Sequence, residues 1–499
     1  MADLETKNSA VATEESGERK VKMRSLALDL VPMGSDEENR MADLKVTKTL
    51  PEGIESKMLY SDIIHIAWPS LVELTLTQLA SMVDLMMVGQ LGPWALTAVG
   101  LTTQPKFLLM TMFMAMNVGA TAMVARYKGA GNQKKADEVL RQALLMTFVL
   151  GCVFALIGFI AAPWLIKFMG ASEDHVLQAG VDYLRIQMIG LPGLALTSTI
   201  TATLRGVGNS KTAMIYNAMA NIINVIFNYM LIYGNFGAPR MEVAGASLAT
   251  IIGQYCAMFM AFYAVMNGQQ YIILRFRDGF KPNKEEIKKI VDIGAPAMVE
   301  QVVMRIGLII YTRTVAGLGT LPYAVHQVCL NIQSLSFMNG QAFAVSATSL
   351  TGQSLGKKRH DMAQAYTTRT RKLGMCVSIF LGVVFFFFGG QIVALYSGGD
   401  QSLVELGAVI MMFVAVVQPF QSSQLILAGA LRGAGDTKVT AAITFITVLL
   451  VRPALAIFAI NVLGMGLEGA WYALVTDQIL RSLLVLLRYN SGAWKRHTM

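Results

Sequence analysis

The feature that most constrains this chain is a series of apolar stretches, each about 20 residues long, that begins near residue 60. As a helix, a stretch of about 20 residues crosses a hydrocarbon core of ~30 Å. Twelve stretches can be counted, at roughly 63–88, 96–125, 139–162, 180–204, 212–233, 243–266, 291–316, 323–350, 373–396, 405–430, 439–461 and 468–488. The sequence therefore predicts an all-α polytopic membrane protein with twelve transmembrane helices.

Composition and charge placement agree with that class. Charged residues make up 15% of the chain, against about 25% in soluble proteins. The net charge of +9 comes from Lys and Arg in short connectors such as 275–289 and 357–372, whereas 89–95 and 317–322 carry no charge. By the positive-inside rule both termini are expected to be cytoplasmic, in a multi-pass protein of the cell membrane. The basic balance therefore does not imply a nucleic-acid partner.

The predicted organisation has four parts. Residues 1–57 are polar and are expected to form a disordered cytoplasmic tail; 58–280 form an N-lobe, 281–489 a C-lobe, and 490–499 a cytoplasmic C-terminal tail. The start of the chain, Met-Ala-Asp-Leu, recurs at Met41, which marks either a second initiation site or a small duplication. The four cysteines lie in apolar stretches without CxxC or Cys/His spacing, so neither a disulfide, a metal centre nor a cofactor is predicted.

An internal repeat organises the twelve stretches. A shift of 227 residues superposes Pro69 on Pro296, Glu73 on Glu300, Gly92 on Gly319, and Leu204-Arg205-Gly206 on Leu431-Arg432-Gly433. Because each half has an even number of spans, the two six-helix repeats are parallel and related by an axis along the membrane normal. Such an architecture predicts a substrate path between the lobes and alternating access by rocking of one lobe against the other.

The first span carries two carboxylates, Glu73 and Asp84, which share one face of a straight helix because they lie eleven residues apart. A charge inside a membrane helix costs about 2.5 kcal/mol or more and is normally kept for a pathway or a partner. In the fifth span Asn224 and Asn228 belong to a polar stripe at helical spacing. Asp84 with amide oxygens suits Na⁺, and a desolvated Asp84 suits a proton; a purely structural hydrogen-bonded role is the alternative.

Glu73 and Glu300 occupy equivalent positions in the two halves, four residues after a proline. Two interpretations fit this symmetry. Either both acids belong to the architecture that the repeats share, or both face the central cavity and serve coupling or binding of a substrate cation. A local ion pair between Glu300 and Arg305 is a further structural alternative.

Other polar residues interrupt the later spans. His326 and Gln327 begin a polar edge of the eighth span, which predicts either a proton relay or a histidine bonded to a backbone carbonyl. Asp477 and Arg481 lie at i, i+4 and are expected to neutralise each other. Arg452 is expected to extend toward the outer interface.

These motifs together resemble the multidrug and toxic compound extrusion (MATE) family, over about residues 60–488. The resemblance rests on PSLVELTLTQLASMVDLMMVGQLG in the first span, LRGVGNSK after the fourth, YNAMANIINVIFNYMLIYG in the fifth, and the second-half segments AVHQVCLNIQSLSFM and GALRGAGDTK. It implies a V-shaped pair of six-helix bundles and export coupled to inward Na⁺ or H⁺. It also implies a cation-coupling site at Asp84, Asn224, Asn228 and Thr250, with Asp84 the only metal ligand of acidic type if the ion is Na⁺. Many members have aspartate where this chain has Asn228, which leaves Asp84 as the main titratable group.

The predicted function is that of a cation-coupled antiporter for amphipathic, often cationic drugs, and no enzymatic activity is predicted. The expected partners are small molecules and the lipid bilayer, with no obligatory protein partner. A lipid-linked glycan flippase or single-substrate exporter of the same architecture is the alternative, and it would be expected to line its cavity with many arginines. A substrate cavity or second coupling site is predicted from Glu73, Glu300, Gln301, His326, Gln327 and Asn331.

Overall fold

The computed structural model describes residues 24–35, 39, 50–171, 173–395 and 400–496, and these residues contain helices and no strand. Twelve long helices account for most of them. They are α1 (Ser56–Gly89), α2 (Pro93–Gly129), α3 (Gln133–Phe168), α4 (Asp174–Gly206), α5 (Ser210–Tyr233), α6 (Glu242–Met266), α7 (Lys284–Ala316), α8 (Thr320–Gly356), α9 (His360–Ala394), α10 (Gln401–Gly433), α11 (Thr437–Asn461) and α12 (Gly466–Asn490). The predicted all-α fold of twelve helices is confirmed.

Ten of the twelve helices are both long and apolar enough to cross a membrane. The other two, α4 and α8, contain 33 and 37 residues and are long enough, but they carry many hydroxyl and amide side chains. In α4 these groups are buried against other helices, including Thr197, Thr199, Thr201 and Thr203. A helix that is buried among other helices can carry polar side chains at membrane depth when those side chains are hydrogen-bonded within the protein. Both helices therefore fit the predicted set of spans.

The repeat seen in the sequence is also a repeat of helix boundaries. Gly92 and Gly319, one repeat apart, precede α2 and α8 with φ of +118° and +108°. A side chain at such a φ is strained, so glycine is required at both turns. Pro192 and Pro419 likewise lie inside the equivalent helices α4 and α10. The two halves therefore use the same residue types to begin and bend the same helices.

Each lobe has its own apolar core. One buried cluster joins α2, α3, α4, α5 and α6 of the N-lobe and includes Ile290 and Ile293 at the start of α7; another, in the C-lobe, joins α7, α8, α9, α10, α11 and α12. Within the C-lobe, α11 changes to a π-helical turn over Phe445–Val451 immediately before Pro453. Proline lacks the N–H that an α-helical turn would use, and a π turn is one way to accommodate that loss. The turn brings Arg452 into the interior, where it is 6% exposed.

The lobes touch through backbone atoms at one end, where α2 and α8 end; we call it the sealed end. A Cβ atom at Gly129 would lie 1.9 Å from the Gln353 carbonyl oxygen, and one at Gly356 would lie 2.0 Å from the Arg126 carbonyl oxygen. These two contacts are related by the repeat. Only glycine allows such an approach, so the sealed end is closed by a symmetric pair of glycine contacts.

Replacing Gly356 by alanine is expected to disfavour the state in which the sealed end is closed, by about 1–3 kcal/mol, because the added methyl group meets the Arg126 backbone. Cysteines at Ala130 and Lys358, in a chain without the native cysteines, should then cross-link more slowly. Gly100→Ala is the matched control, since its Cβ meets nothing within 4 Å. Equal cross-linking rates in the two variants would contradict the expectation.

Part of the predicted disordered tail is ordered. Residues Ala27–Leu30 form a short 3-10 helix, and Leu26, Leu28 and Val31 are 3%, 1% and 4% exposed. The expectation of disorder is wrong for this segment because its apolar residues bury in one cluster with residues of α1, α8, α9 and α10. Residues 1–23 and Met41 lie outside the described residues.

Candidate functional site

The four residues predicted to couple a cation converge in the N-lobe. Asn228 donates a hydrogen bond to Asp84 Oδ1. With the Asn224 amide oriented to satisfy both ends, its nitrogen donates to Asp84 Oδ1 and Oδ2 at 2.8 and 3.2 Å. Its oxygen then accepts from the Thr250 hydroxyl at 3.3 Å. Three helices, α1, α5 and α6, therefore supply one continuous polar cluster.

Parallel packing of α1 against α5 explains why the cluster forms. The pairs Glu73 with Asn217, Thr77 with Asn221 and Asp84 with Asn228 are each separated by 144 residues. A constant offset means that the two helices run side by side in one register. The polar stripe of α5 consequently meets the polar face of α1 along its length.

The cluster has an oxygen ready for a cation. Asn228 is fully buried, and its Oδ1 atom has no hydrogen-bond partner among the described residues. An unsatisfied buried carbonyl oxygen beside a carboxylate is costly to leave empty and is a ligand that hard cations prefer. The described residues contain no group of three or more His, Cys, Asp or Glu side chains with metal-site geometry, so any Na⁺ would be held by Asp84 and neutral oxygens.

Lys106 shares this site and was missed by the sequence analysis. Asp84, Asn224, Thr250 and Lys106 all line one cavity of about 320 Å³. Lys106 follows Pro105 inside α2, and no described carboxylate lies within ion-pair distance of it. The available signal was a lone lysine in the apolar stretch 96–125. Its presence places one positive charge opposite the carboxylate in the same cavity.

Glu73 of α1 pairs with an arginine at the end of α4, and Glu300 of α7 pairs with the equivalent arginine at the end of α10. Arg205 Nη2 lies 2.7 Å from Glu73 Oε2, and Arg432 Nη2 lies 2.7 Å from Glu300 Oε1. The arginines are themselves one repeat apart. The structural alternative of a local Glu300–Arg305 pair is wrong, because Arg305 instead lies over the Phe107 ring, 4.8 Å from its centroid. The geometry supports the architectural interpretation of the two glutamates.

A second, larger cavity of about 560 Å³ lies in the C-lobe. Glu300 and Gln301 line it, whereas His326, Gln327 and Asn331 are not among its lining residues. His326 is fully buried between the Tyr311 and Trp471 rings, at centroid distances of 5.5 and 5.6 Å. Both of its ring nitrogens lack a partner among the described residues, so the expected bond to a backbone carbonyl is not made.

Two arginines that line this cavity, Arg452 and Arg481, belong to a buried ionic triad with Asp477. Arg481 and Arg452 both donate to Asp477 Oδ2, and Asp477 is fully buried. The predicted Asp477–Arg481 pair is confirmed. The expectation that Arg452 extends toward the membrane interface is wrong, because the π-helical turn of α11 directs it inward to the carboxylate. One carboxylate is therefore shared by two guanidinium groups.

Comparison with known proteins gives consistent matches over both lobes. The family model described as MatE matches residues 69–230 and 296–458. A probable multidrug resistance protein NorM from Thermotoga maritima is 27% identical over 439 residues, which is 88% of this chain and 94% of that protein. An uncharacterized transporter, YisQ, from Bacillus subtilis is 26% identical over 437 residues, 87% of this chain and 94% of that protein.

A solved structure shows the same fold. The outward-facing conformation of a multidrug resistance MATE family transporter of the MOP superfamily superposes with a TM-score of 0.81, at 21% identity, over 87% of this chain and 96% of that one. At this identity the likeness concerns the arrangement of helices and not the side chains of the cavities.

Proposed function

Because the chain belongs to the MATE family of multidrug efflux transporters, we propose that it is a cation-coupled antiporter that exports amphipathic organic compounds, organic cations among them. The observation that carries this proposal is the N-lobe cluster, in which Asp84 meets two asparagine amides on the wall of a cavity. A carboxylate in that setting can take up either Na⁺ or a proton.

Coupling follows from competition between two states of the lobes. Binding of the cation at Asp84 from outside favours the state that releases the organic compound. By the reciprocity of linkage, the organic compound must then weaken the hold on the cation by the same factor. Lys106 places a positive charge in the same cavity, and like charges repel, so the lysine ammonium weakens the binding of a coupling cation at Asp84.

We place both termini in the cytoplasm, so that the cavities open toward the outside of the cell. Basic residues concentrate at the sealed end, in the connectors that carry Lys128, Lys134, Lys135, Lys357 and Lys358. The positive-inside rule assigns this end to the cytoplasm. With this orientation the closed, sealed end faces the cytoplasm, which corresponds to an outward-facing conformation.

The test is transport of ethidium in proteoliposomes with either a Na⁺ gradient or a pH gradient imposed, one at a time. One of the two gradients is expected to drive ethidium uphill, and the matching ionophore should abolish that movement. Movement that is only downhill and indifferent to both gradients would contradict antiport and would indicate a channel. A lipid-linked glycan flippase would leave ethidium in place under either gradient.

A further inference from the structure

The C-lobe cavity carries more positive than negative charge. Its wall includes four guanidinium groups and a single carboxylate among the described lining residues: Arg305, Arg432, Arg452, Arg481 and Glu300. Glu300 is taken by Arg432, and Asp477 is shared by Arg452 and Arg481. At least one positive charge, that of Arg305, remains without a carboxylate among the described residues.

Two buried donors on this wall also lack acceptors. Arg481 is 2% exposed, and its Nε atom has no hydrogen-bond partner among the described residues. The same holds for Nε of Arg432. A buried charged donor without an acceptor costs free energy. Both atoms are buried from solvent, so they add unbalanced positive charge behind the cavity wall and are not themselves the contact for a ligand.

The cavity is also apolar enough for an organic body. Leu308, Phe337 and Leu425 line it beside the arginines, together with amides such as Gln424. On the side of the N-lobe, the Phe107 ring lies under Arg305, and Lys106 precedes Phe107 in α2. Lys106, a second cation without a carboxylate partner, is therefore adjacent in sequence to the Phe107 ring that Arg305 covers.

We propose that the C-lobe cavity binds amphipathic organic anions, aromatic carboxylates or sulfonates, whose acidic group meets Arg305 and whose body packs on the apolar wall. Arg305 presents a planar fork of donors that suits such a group. The inference names a further substrate class for the proposed export and rests on that function. An anionic lipid headgroup shares the same chemistry, so the experiment separates the two sources.

The test uses three fluorescent ligands with one aromatic body: 1-pyrenebutyrate, its uncharged amide and the cationic 1-pyrenebutylamine. Binding to the full chain in neutral detergent needs no ion gradient. The carboxylate is expected to bind about ten-fold or more tightly than the amine, and Arg305→Gln should remove that preference. Arg313→Gln, an exposed arginine on the same helix, is the matched control and should change nothing.

Displacement of the carboxylate by phosphatidylglycerol would support the anion site with lipid as an occupant, and its absence would support the soluble anion alone. Equal binding of carboxylate and amine, or equal effects of Arg305→Gln and Arg313→Gln, would overturn the proposal. Asp84→Asn separates this outcome from failure of the proposed function, because it should remove gradient-driven transport and leave binding of the carboxylate intact.

A second inference rests on the N-terminal segment 24–35, which bridges the lobes at the sealed end. Toward the N-lobe, the Ala27 N–H donates to Asp62 Oδ2 at 2.8 Å. Toward the C-lobe, Lys357 Nζ donates to the Leu28 carbonyl at 2.7 Å, and the Gly34 N–H donates to the Lys357 carbonyl at 3.0 Å. The side chain of Leu28, 1% exposed, lies in an apolar cluster that includes both α1 and α9.

We infer that segment 24–35 is a clip that stabilises the state in which the sealed end is closed. Its bonds to Asp62 and Lys357 can both be made only while the two lobes are together. Separation of the lobes at this end must therefore break one set of bonds and expose Leu28. A chain that starts at Met41 would lack the clip and would open at this end more readily.

Distances between spin labels at Ala130 and Lys358 test the clip in the full chain. Leu28→Glu is expected to move a larger share of molecules to long distances, and so is a chain that starts at Met41. Leu30→Glu is the matched control, because Leu30 is 55% exposed and should leave the distances unchanged. The clip is overturned if Leu28→Glu and the Met41 form both give the distance distribution of the unaltered chain.

Discussion

Replacing Asp84 by asparagine is expected to reduce gradient-driven ethidium transport to the rate of protein-free liposomes, while the protein stays folded. The amide keeps the size of the carboxylate and can still accept hydrogen bonds from Asn224 and Asn228. It has no negative charge to hold Na⁺ and no carboxylate to take up a proton. The variant therefore removes the coupling chemistry without removing the packing, and transport in proteoliposomes measures the loss.

The matched control is Asp182→Asn, the same chemical change at a carboxylate that bonds to Gln178 near the surface of α4. It should transport at the normal rate. If Asp84 only ties α1 to α5, then Asp84→Asn should lower the thermal stability and reduce transport only in proportion to the folded protein. Near-normal efflux by a stable Asp84→Asn variant would overturn the assignment of this residue as the coupling group.

The Asp84 cluster was predictable because the family resemblance implied a cation site at Asp84, Asn224, Asn228 and Thr250, and the asparagines also repeat at helical spacing. A carboxylate in an apolar span requires partners, and the asparagines of α5 form the polar stripe nearest in type and spacing. The sequence could not give the partner of Glu300 in the same way. Spacing identifies neighbours on one helix, so it suggested Arg305, whereas Arg432 lies 132 residues away and is brought close only by helix packing.

The sequence analysis missed Lys106 and segment 24–35 because each differs in polarity from the longer stretch around it. Lys106 is one charge in a long apolar stretch, and composition reports it only as a slightly less apolar helix. The clip was hidden by the polar residues around it, although Leu26, Leu28 and Val31 form a short apolar pattern of their own. In both cases a single side chain and its surroundings, rather than the mean of a window, determine what the segment does.

The two lobes share a backbone and differ in chemistry. The repeat preserves the Glu–Arg pairs, which lie within each lobe, and the glycine contacts, which join the two lobes at the sealed end. Asp84 has no acidic counterpart, since one repeat later the chain has Tyr311. The N-lobe thus carries the carboxylate cluster for the proposed coupling, and the C-lobe carries the arginines for the inferred anion. The proposed division, with coupling in the N-lobe and anion binding in the C-lobe, therefore depends on residues that differ between the two repeats.

Replacing Asp477 by asparagine is expected to lower the free energy of unfolding by about 3–5 kcal/mol, because two buried guanidinium groups lose their shared counter-charge. Arg452 and Arg481 are 6% and 2% exposed, so little water can take the place of the carboxylate. Unfolding in mixed micelles of neutral detergent and dodecyl sulfate, followed by circular dichroism, measures the change.

The size of that change distinguishes a buried triad from an ordinary surface pair. Asp278→Asn is the matched control, because Asp278 pairs with Arg141 at 2.9 Å with 43% of its side chain exposed, and its loss should cost about 1 kcal/mol or less. Adding Arg452→Gln to Asp477→Asn should recover part of the stability, since one unpaired charge is removed with the carboxylate. If Asp477→Asn and Asp278→Asn lower the free energy of unfolding by the same amount, Arg452 and Arg481 must be balanced by another counter-charge or by water. The positive excess of the C-lobe cavity would then be smaller than the count of its charged side chains indicates.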